Sequence, residues 1–166
     1  MTKQKYIFEI ENYYIDETNV LGSDIKLKKF EYNEEKKDLL LLDEYEARFE
    51  LFDIEGFKKS IDIIKKINKE ARVLFILDYQ IEGILQIETK NDKGNYNINL
   101  VGKGKANDSL VCGFSLEYLK GIVDSLNIKE IEKIEVYLKD DYPLGLIIIN
   151  KDESKNKIIL APKVEV

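Results

Sequence analysis

Lysines recur along one stretch of the chain at a spacing that places them on one side of a helix. The stretch runs from Ile54 to Lys69, and at ~100° per residue three further lysines fall within about 80° of Lys58: Lys65, Lys66 and Lys69. Apolar residues such as Phe57 and Ile64 gather on the opposite side, and Asp62 interrupts the cationic side. Such a row of ammonium groups binds the phosphates of a polyanion, or it simply faces water. Both interpretations remain open at this point.

Other residue types capable of chemistry do not form a recognisable site. The chain has no histidine, which removes the commonest general base and metal ligand. Cys112 has neither a histidine nor a second cysteine to work with, so we expect a small buried residue. Acidic pairs such as Asp140 and Asp141 lie in polar turns, and Gly102–Lys105 lacks the strand-to-helix context of a phosphate loop. We interpret it as part of a polar linker, Gly102–Asp108. The sequence predicts no enzyme, no cofactor and no metal.

Size and charge narrow the class of protein further. A chain of 166 residues forms one ordinary domain or two small ones, and its 44% hydrophobic residues suffice for a sizeable core. The net charge of −6 argues against coating nucleic acid over the whole surface, but a local basic stripe is compatible with it. A single cysteine favours the reducing cytosol, and a protein bound to DNA would lie in the nucleoid or nucleus. No apolar run approaches the ~18 residues of a membrane span, so no membrane contact is predicted.

The remaining pattern predicts a second helix and eight strands after residue 47. Ser115 can cap the second helix, whose apolar positions share one face: Leu116, Leu119, Ile122, Val123 and Leu126. Alternating or short apolar runs predict the strands: Arg48–Asp53, Arg72–Leu77, Gly83–Thr89, Asn95–Val101, Ser109–Gly113, Ile134–Leu138, Leu144–Ile149 and Lys157–Leu160.

The two helices belong to an internal repeat. A shift of 62 positions aligns Phe52 with Phe114, Glu55 with Glu117, Lys58 with Lys120 and Asp62 with Asp124. We expect two βαβββ units, at about residues 48–103 and 108–166, in an α+β fold with both helices paired on one face of an antiparallel sheet. The second helix is the less basic one, so any contact with a polyanion rests mainly on the first.

Three C-terminal motifs resemble the DNA sliding clamps of the archaeal and eukaryotic PCNA type. They are FSLEYLKGIV at 114–123, DDYPLGLII at 140–148 and IILAPKVE at 158–165. The segments 16–27 and 38–46 are more weakly similar to the family's first domain and interdomain connector. The resemblance implies one clamp domain at 48–166, preceded by a strand-rich remnant at 1–47. Because the family's ring contains six domains, it also implies self-association or a full-length clamp subunit as partner.

The resemblance implies a processivity factor that encircles or cradles double-stranded DNA without reading its sequence. The positions that match the DNA-facing helices of the family are Lys58, Lys59, Lys65, Lys66, Lys69 and Lys120. The family also docks client peptides of polymerase, ligase and nuclease type in an apolar groove. The matching positions are Pro143, Leu144, Ile159, Ala161 and Pro162, with Leu40, Leu41 and Leu42 from the connector. A strand containing Tyr96, Ile98 and Leu100 is the expected subunit contact.

Other functions are compatible with the same residues. The groove positions could instead be buried apolar turns and strand ends. A clamp-like inhibitor or decoy would bind a full-length clamp, or its clients, without encircling DNA, and a structural adaptor would only reuse the fold. Ile10, Tyr13 and Tyr14 have the spacing of a clamp-client peptide, although Ile7 replaces the expected glutamine and a strand is the favoured interpretation.

Overall fold

The computed structural model describes residues 13–15, 27–29, 45–67 and 72–163, which form ten strands, two α helices and one 3-10 helix. The helices are α1 (Ile54–Ile67), α2 (Leu116–Ser125) and the 3-10 helix Ile128–Glu130. The strands are β1 (Tyr13–Ile15), β2 (Leu27–Lys29), β3 (Ala47–Leu51), β4 (Arg72–Leu77), β5 (Ile84–Asn91), β6 (Gly94–Ala106), β7 (Leu110–Ser115), β8 (Ile131–Leu138), β9 (Leu144–Asn150) and β10 (Lys155–Leu160).

The predicted repeat and the α+β class are confirmed. Each half reads strand, helix, strand, strand, strand: β3-α1-β4-β5-β6 and β7-α2-β8-β9-β10. The strand order is β2-β1-β10-β9-β8-β3-β6-β5-β4-β7. The first strand of each half therefore pairs with the second strand of the other half: β3 with β8 and β7 with β4, both antiparallel. Since β7 opens the second half and β4 belongs to the first, neither half has a complete sheet without the other.

Both helices cover the same face of this curled sheet, and the core lies between the two layers. Phe57 of α1 meets Phe75 of β4 edge to face, with ring centroids 6.3 Å apart, and Phe75 meets Phe114 of β7 at 5.4 Å. All three rings are fully buried. Complete burial of one such side chain contributes ~1.5–3 kcal/mol, so the apolar stripe of each helix supplies the main force that holds it on the sheet.

On the opposite face of the sheet, charged side chains tie β3 to β8. Lys133 Nζ donates to Glu50 Oε1 at 2.8 Å, and Arg48 contacts both Glu50 (2.9 Å) and Glu135. Tyr137 donates its hydroxyl to Glu135 Oε1 at 3.2 Å. The hydrogen bond from Lys133 is the main reason that the pKa of Glu50 is lowered. This network joins β3, a strand of the first half, to β8 of the second half.

The predicted linker Gly102–Asp108 is wrong, because β6 continues through Ala106 and pairs with β3 from Leu51↔Gly102 to Ala47↔Ala106. Glycine is needed here for a steric reason. A Cβ on Gly102 would collide with the Glu50 carbonyl oxygen, and Gly104 has a φ of +144° that side chains rarely adopt. A motif that is typical of loops therefore permits close strand pairing.

Both helices begin at matching capping residues, as predicted for Ser115. Asp53 precedes α1, and its Oδ1 accepts a hydrogen bond from the Gly56 backbone N–H at 2.8 Å. Ser115 precedes α2, and its Oγ accepts from the Tyr118 N–H at 3.3 Å. The two capping residues are 62 positions apart, and so are the two backbone donors, as the repeat requires. Each cap satisfies a backbone donor that the helix itself leaves unpaired.

Removing either cap is expected to destabilise the chain. Asp53→Ala and Ser115→Ala should each lower the free energy of unfolding by ~1 kcal/mol, measured by urea denaturation followed by circular dichroism. The exchanged caps Asp53→Ser and Ser115→Asp keep an acceptor oxygen and should remain near wild type. Equal losses in the alanine and exchanged variants would show that the hydrogen bonds are not the cause.

Candidate nucleic-acid interface

The two helices lie side by side, and the side of the pair that faces away from the sheet is charged. Along the described length of α1 and α2 there are five lysines and four carboxylates. One positive charge is therefore in excess on this face, although the chain as a whole carries −6. The face is close to neutral rather than strongly cationic.

Two lysines and two aspartates form a closed cluster across the helix contact, which we call the charge quartet: Lys58, Asp62, Lys120 and Asp124. Lys58 Nζ lies 3.4 Å from Asp62 Oδ2 and 3.2 Å from Asp124 Oδ1. Lys120 Nζ lies 2.6 Å from Asp124 Oδ1 and 2.9 Å from Asp62 Oδ1. Each lysine thus contacts one aspartate of its own helix and one of the other helix.

The repeat explains why the quartet closes. Each lysine stands four residues before an aspartate on the same helix, a spacing at which side chains meet. Because the shift of 62 residues maps Lys58 onto Lys120 and Asp62 onto Asp124, pairing of the equivalent helices brings the two ion pairs together in opposite orientation. The quartet follows from duplication plus side-by-side packing.

Burial and charge act against each other within the quartet. Its side chains are between 29% and 46% exposed. Partial burial acts to raise the pKa of Asp62, but the ammonium groups of Lys120 and Lys58 outweigh it and the pKa is lowered. Burial acts to lower the pKa of Lys120, but Asp124 and Asp62 outweigh it and that pKa is raised. Asp62 and Lys120 therefore carry opposite charges at neutral pH.

The other predicted DNA-facing lysines lie outside the quartet. Lys59 is exposed and lies 3.3 Å from Glu55, four residues away on the same helix, and such exposed pairs contribute at most ~1 kcal/mol. Lys65 and Lys66 occupy the last turn of α1, where cations favour the helix dipole. Lys69 lies outside the described residues. The positive charge of the helix pair is thus concentrated at the end of α1.

The predicted client-groove residues come together at one end of β9 and β10, where Leu144 pairs with Leu160. The Lys163 N–H donates to the Gly113 carbonyl at 2.8 Å, which holds the tail after β10 against β7. Four of the five positions are half-buried: Pro143, Ile159, Ala161 and Pro162. Leu144 is fully buried, so its side chain contributes to the core rather than to an open surface. Leu40, Leu41 and Leu42 lie outside the described residues.

A tyrosine cluster beside this end of β9 has no counterpart among the residues predicted from the sequence. The Tyr45 ring packs edge to face on Tyr137 at 5.7 Å and on Tyr142 at 5.2 Å. Lys139 Nζ stands 4.8 Å from the Tyr142 ring centroid. Gly145 permits the packing, since a Cβ there would lie 3.1 Å from the Tyr45 hydroxyl. Burial raises the pKa of Tyr45. In the sequence, the position of Tyr142 next to Pro143 is the one hint of a role near the groove.

Two strands through which copies of the chain could join, β6 and β10, differ in how their edges are covered. Tyr96 and Ile98 are half-buried, and Leu100 is buried, on β6, the strand predicted as a subunit contact. In the described part of the chain, Gly94–Val101 pairs with β5 on one edge, and no strand pairs with its other edge. The corresponding edge of β10 is met by β1, in parallel, at Ile15↔Leu160. Tyr13 and Tyr14 belong to that strand, whereas Ile10 lies outside the described residues.

No protein-family model matches the chain, and no curated protein sequence matches it. Solved structures do match. The chain is similar to a DNA polymerase III beta subunit from Eubacterium rectale, with a TM-score of 0.60 and 12% identity over 84% of this chain and 35% of that one. It is also similar to the DNA polymerase III beta chain of Streptococcus pneumoniae TIGR4, with a TM-score of 0.61 and 15% identity over 96% and 41%.

The chain has a sliding-clamp fold. Its neighbours are bacterial beta subunits, so the likeness supports the clamp fold but not the PCNA type in particular, which stays a prediction. The prediction that the chain is not an enzyme stays a prediction, because a likeness at this level of identity shows the fold alone. This clamp-fold chain spans about two fifths or less of each neighbour. The division at residue 47 also stays a prediction.

Membrane spans and metal sites are both missing from the described residues of the clamp-fold chain. No helix there is long and apolar enough to cross a membrane. No group of three or more histidine, cysteine, aspartate or glutamate residues in those ranges could hold a metal ion.

Acidification is expected to weaken the helix pair through Asp62. Because its folded-state pKa lies below the ordinary value of 3.8, its contribution to stability is fully present above about that pH and is lost as the pH falls through the lowered value. Urea unfolding should show a larger loss between about pH 5 and about pH 3 in the wild-type chain than in Asp62→Asn.

The control for this pH experiment is Asp92→Asn. Asp92 is exposed in the turn between β5 and β6, so removing its carboxylate should leave the pH dependence of wild type. Identical pH dependence in wild type and Asp62→Asn would mean that the quartet does not stabilise the fold.

Proposed function

We propose that this chain is a sliding-clamp-like processivity factor that encircles or cradles duplex DNA and docks replication or repair proteins. The observation that carries the proposal is the duplicated clamp fold. It places two helices on one face of the sheet, with their lysine-bearing sides facing away from the sheet. Both neighbours are described as beta subunits of DNA polymerase III. The clients we expect are of polymerase, ligase and nuclease type.

The charge of the helix pair supports loose contact with DNA. Phosphate contacts carry no sequence information, and a face with a single excess positive charge gives little affinity. Such a protein keeps hold of DNA by surrounding it, and weak contacts then permit sliding. The net charge of −6 on the whole chain opposes DNA binding elsewhere on the surface.

The size of the chain requires partners for any ring. It spans 35% and 41% of the two neighbours, so a closed ring would need several copies of this chain or a full-length clamp subunit. The open edge of β6 at Gly94–Val101 offers unpaired backbone groups for such an association. Tyr96, Ile98 and Leu100 lie on this strand and are the proposed subunit contact.

Reversing the charge at the end of α1 is expected to abolish function. Lys65→Glu with Lys66→Glu should lower affinity for duplex DNA by about tenfold or more, because two cations become anions beside the phosphates. Stimulation of a DNA polymerase on a primed template should fall to background, and the far-ultraviolet circular dichroism spectrum should not change.

The matched control is Lys93→Glu with Lys155→Glu. Both lysines are exposed, one in the β5–β6 turn and one at the start of β10, so the net charge changes equally away from the helix pair. Wild-type stimulation in the Lys65 and Lys66 variant, or equal loss in the control, would contradict the proposed DNA-facing role.

One observation favours the alternative function, a clamp-like inhibitor or decoy. Because β1 meets β10 at Ile15↔Leu160, a strand of the same chain already occupies one of the two edges through which copies could join head to tail. A chain with one open edge could attach to a full-length clamp through β6 without completing a ring. Its N-terminal residues would then serve to end the assembly.

The mass in solution distinguishes the two functions. At 19.4 kDa per chain, multi-angle light scattering should give a hexamer, or a mixed ring with a full-length clamp, if the processivity function is right. A monomer or dimer that still binds a full-length clamp would support the decoy function. The same chain without residues 1–29 should form larger assemblies only if β1 blocks the edge.

A further inference from the structure

We propose that Asp62 and Asp124 weaken DNA binding by pairing with Lys58 and Lys120. These ion pairs keep the two lysines from phosphate contact, so the helix pair binds duplex DNA more loosely than its lysines alone would. The inference rests on the proposed function and concerns how that function is tuned. It assigns the two aspartates a role in setting the strength of the DNA contact rather than in binding DNA themselves.

The geometry of the quartet carries the first step. Each ammonium group already has two carboxylates within 3.4 Å: Lys58 contacts Asp62 and Asp124, and Lys120 contacts the same two residues. A phosphate can recruit either lysine only by displacing a carboxylate or by sharing the ammonium group with it. Exchanging one anionic partner for another yields little net attraction, and a displaced carboxylate would stand beside the phosphate and repel it.

The packing of the helices carries the second step. Phe57, Ile61 and Ile64 of α1, and Leu119, Ile122 and Val123 of α2, are fully buried, so apolar burial already fixes the helices on the sheet. Ion pairs as exposed as those of the quartet contribute little to stability. The aspartates therefore have more effect on the electrostatic potential of the outer face than on the fold.

The position of the quartet carries the third step. It lies where α1 and α2 meet, on the face that the proposed function turns toward DNA, and it contains two of the five lysines on that face. With these two neutralised, the proposed DNA contact relies on the lysines outside the quartet. Removing the aspartates would make Lys58 and Lys120 available to phosphates as well.

The test measures how DNA affinity depends on salt. Fluorescence anisotropy of a labelled duplex of about 30 base pairs, titrated over a range of NaCl concentrations, gives the slope of log K against log salt, which steepens by about 0.9 for each additional phosphate that the protein neutralises. Asp62→Asn with Asp124→Asn should therefore steepen the slope by about 1.8 relative to wild type. Each single variant should give an intermediate value.

Two further variants make the test specific. Glu117→Gln removes one negative charge from the same face of α2 outside the quartet, and it should leave the slope at the wild-type value. The neutral quartet, Lys58→Gln, Asp62→Asn, Lys120→Gln and Asp124→Asn together, should also keep the wild-type slope, because the charges it removes already cancel. If the neutral quartet loses about 1.8 units of slope, the lysines do bind phosphate in the wild type and the proposal is overturned.

Polymerase stimulation, measured in parallel, separates this inference from the proposed function. A steeper slope in the double variant, with no stimulation by wild type, would support neutralisation of the lysines by the aspartates and contradict the processivity function. Stimulation by wild type, with equal slopes in wild type and the double variant, would support the processivity function and overturn the role of the aspartates. If the double variant does not fold, the single variants decide: unchanged slopes in both overturn the proposal.

Discussion

The fold depends on strand pairing between the two halves of the chain. β3 stands between β6 of its own half and β8 of the other, and β7 pairs with β4 of the other half. Each half alone would leave backbone groups unpaired and one side of its helix uncovered. Both would lower the free energy of unfolding. Since each half supplies a strand that the other lacks, the helices must lie on one continuous sheet, next to each other.

The electrostatics of the helix pair follows from this constraint. Two equivalent helices packed side by side present equivalent side chains to each other, so Lys58 meets Asp124 and Lys120 meets Asp62. A helix that looks cationic by itself becomes part of a nearly neutral surface when its duplicate is placed beside it. For a protein that slides along DNA, weak attraction combined with enclosure is more useful than high affinity, because strong phosphate contacts would slow movement.

Much of the fold could be predicted from the sequence because burial leaves a periodic signal. The apolar stripes of both helices, the alternating strands, the Ser115 cap and the repeat itself all depend on local spacing. The continuation of β6 through Gly104 could not be predicted in this way, because glycine and lysine are typical of loops and only the partner strand explains them. The parallel pairing of β1 with β10 could not be predicted either, because the two segments lie nearly a whole chain apart and local spacing gives no signal for it.

The candidate site could be predicted only in part, for a related reason. Projection onto one helix groups Lys58, Lys65 and Lys66 on a cationic side, but it cannot include the carboxylates of a second helix. The repeat holds the missing information, since the shift of 62 positions aligns the lysine–aspartate pair of one helix with that of the other. The tyrosine cluster of Tyr45 and Tyr142 has no such signal, because its members are far apart in the chain.

In the proposed function, the chain stays on DNA by surrounding it, together with its partners, rather than by affinity. The most direct measurement is retention of the full-length chain on nicked circular duplex DNA, at about 0.15 M salt, before and after the circle is cut once. We expect retention on the circle and rapid loss after linearisation. Equal retention on both forms, or on neither, would contradict it.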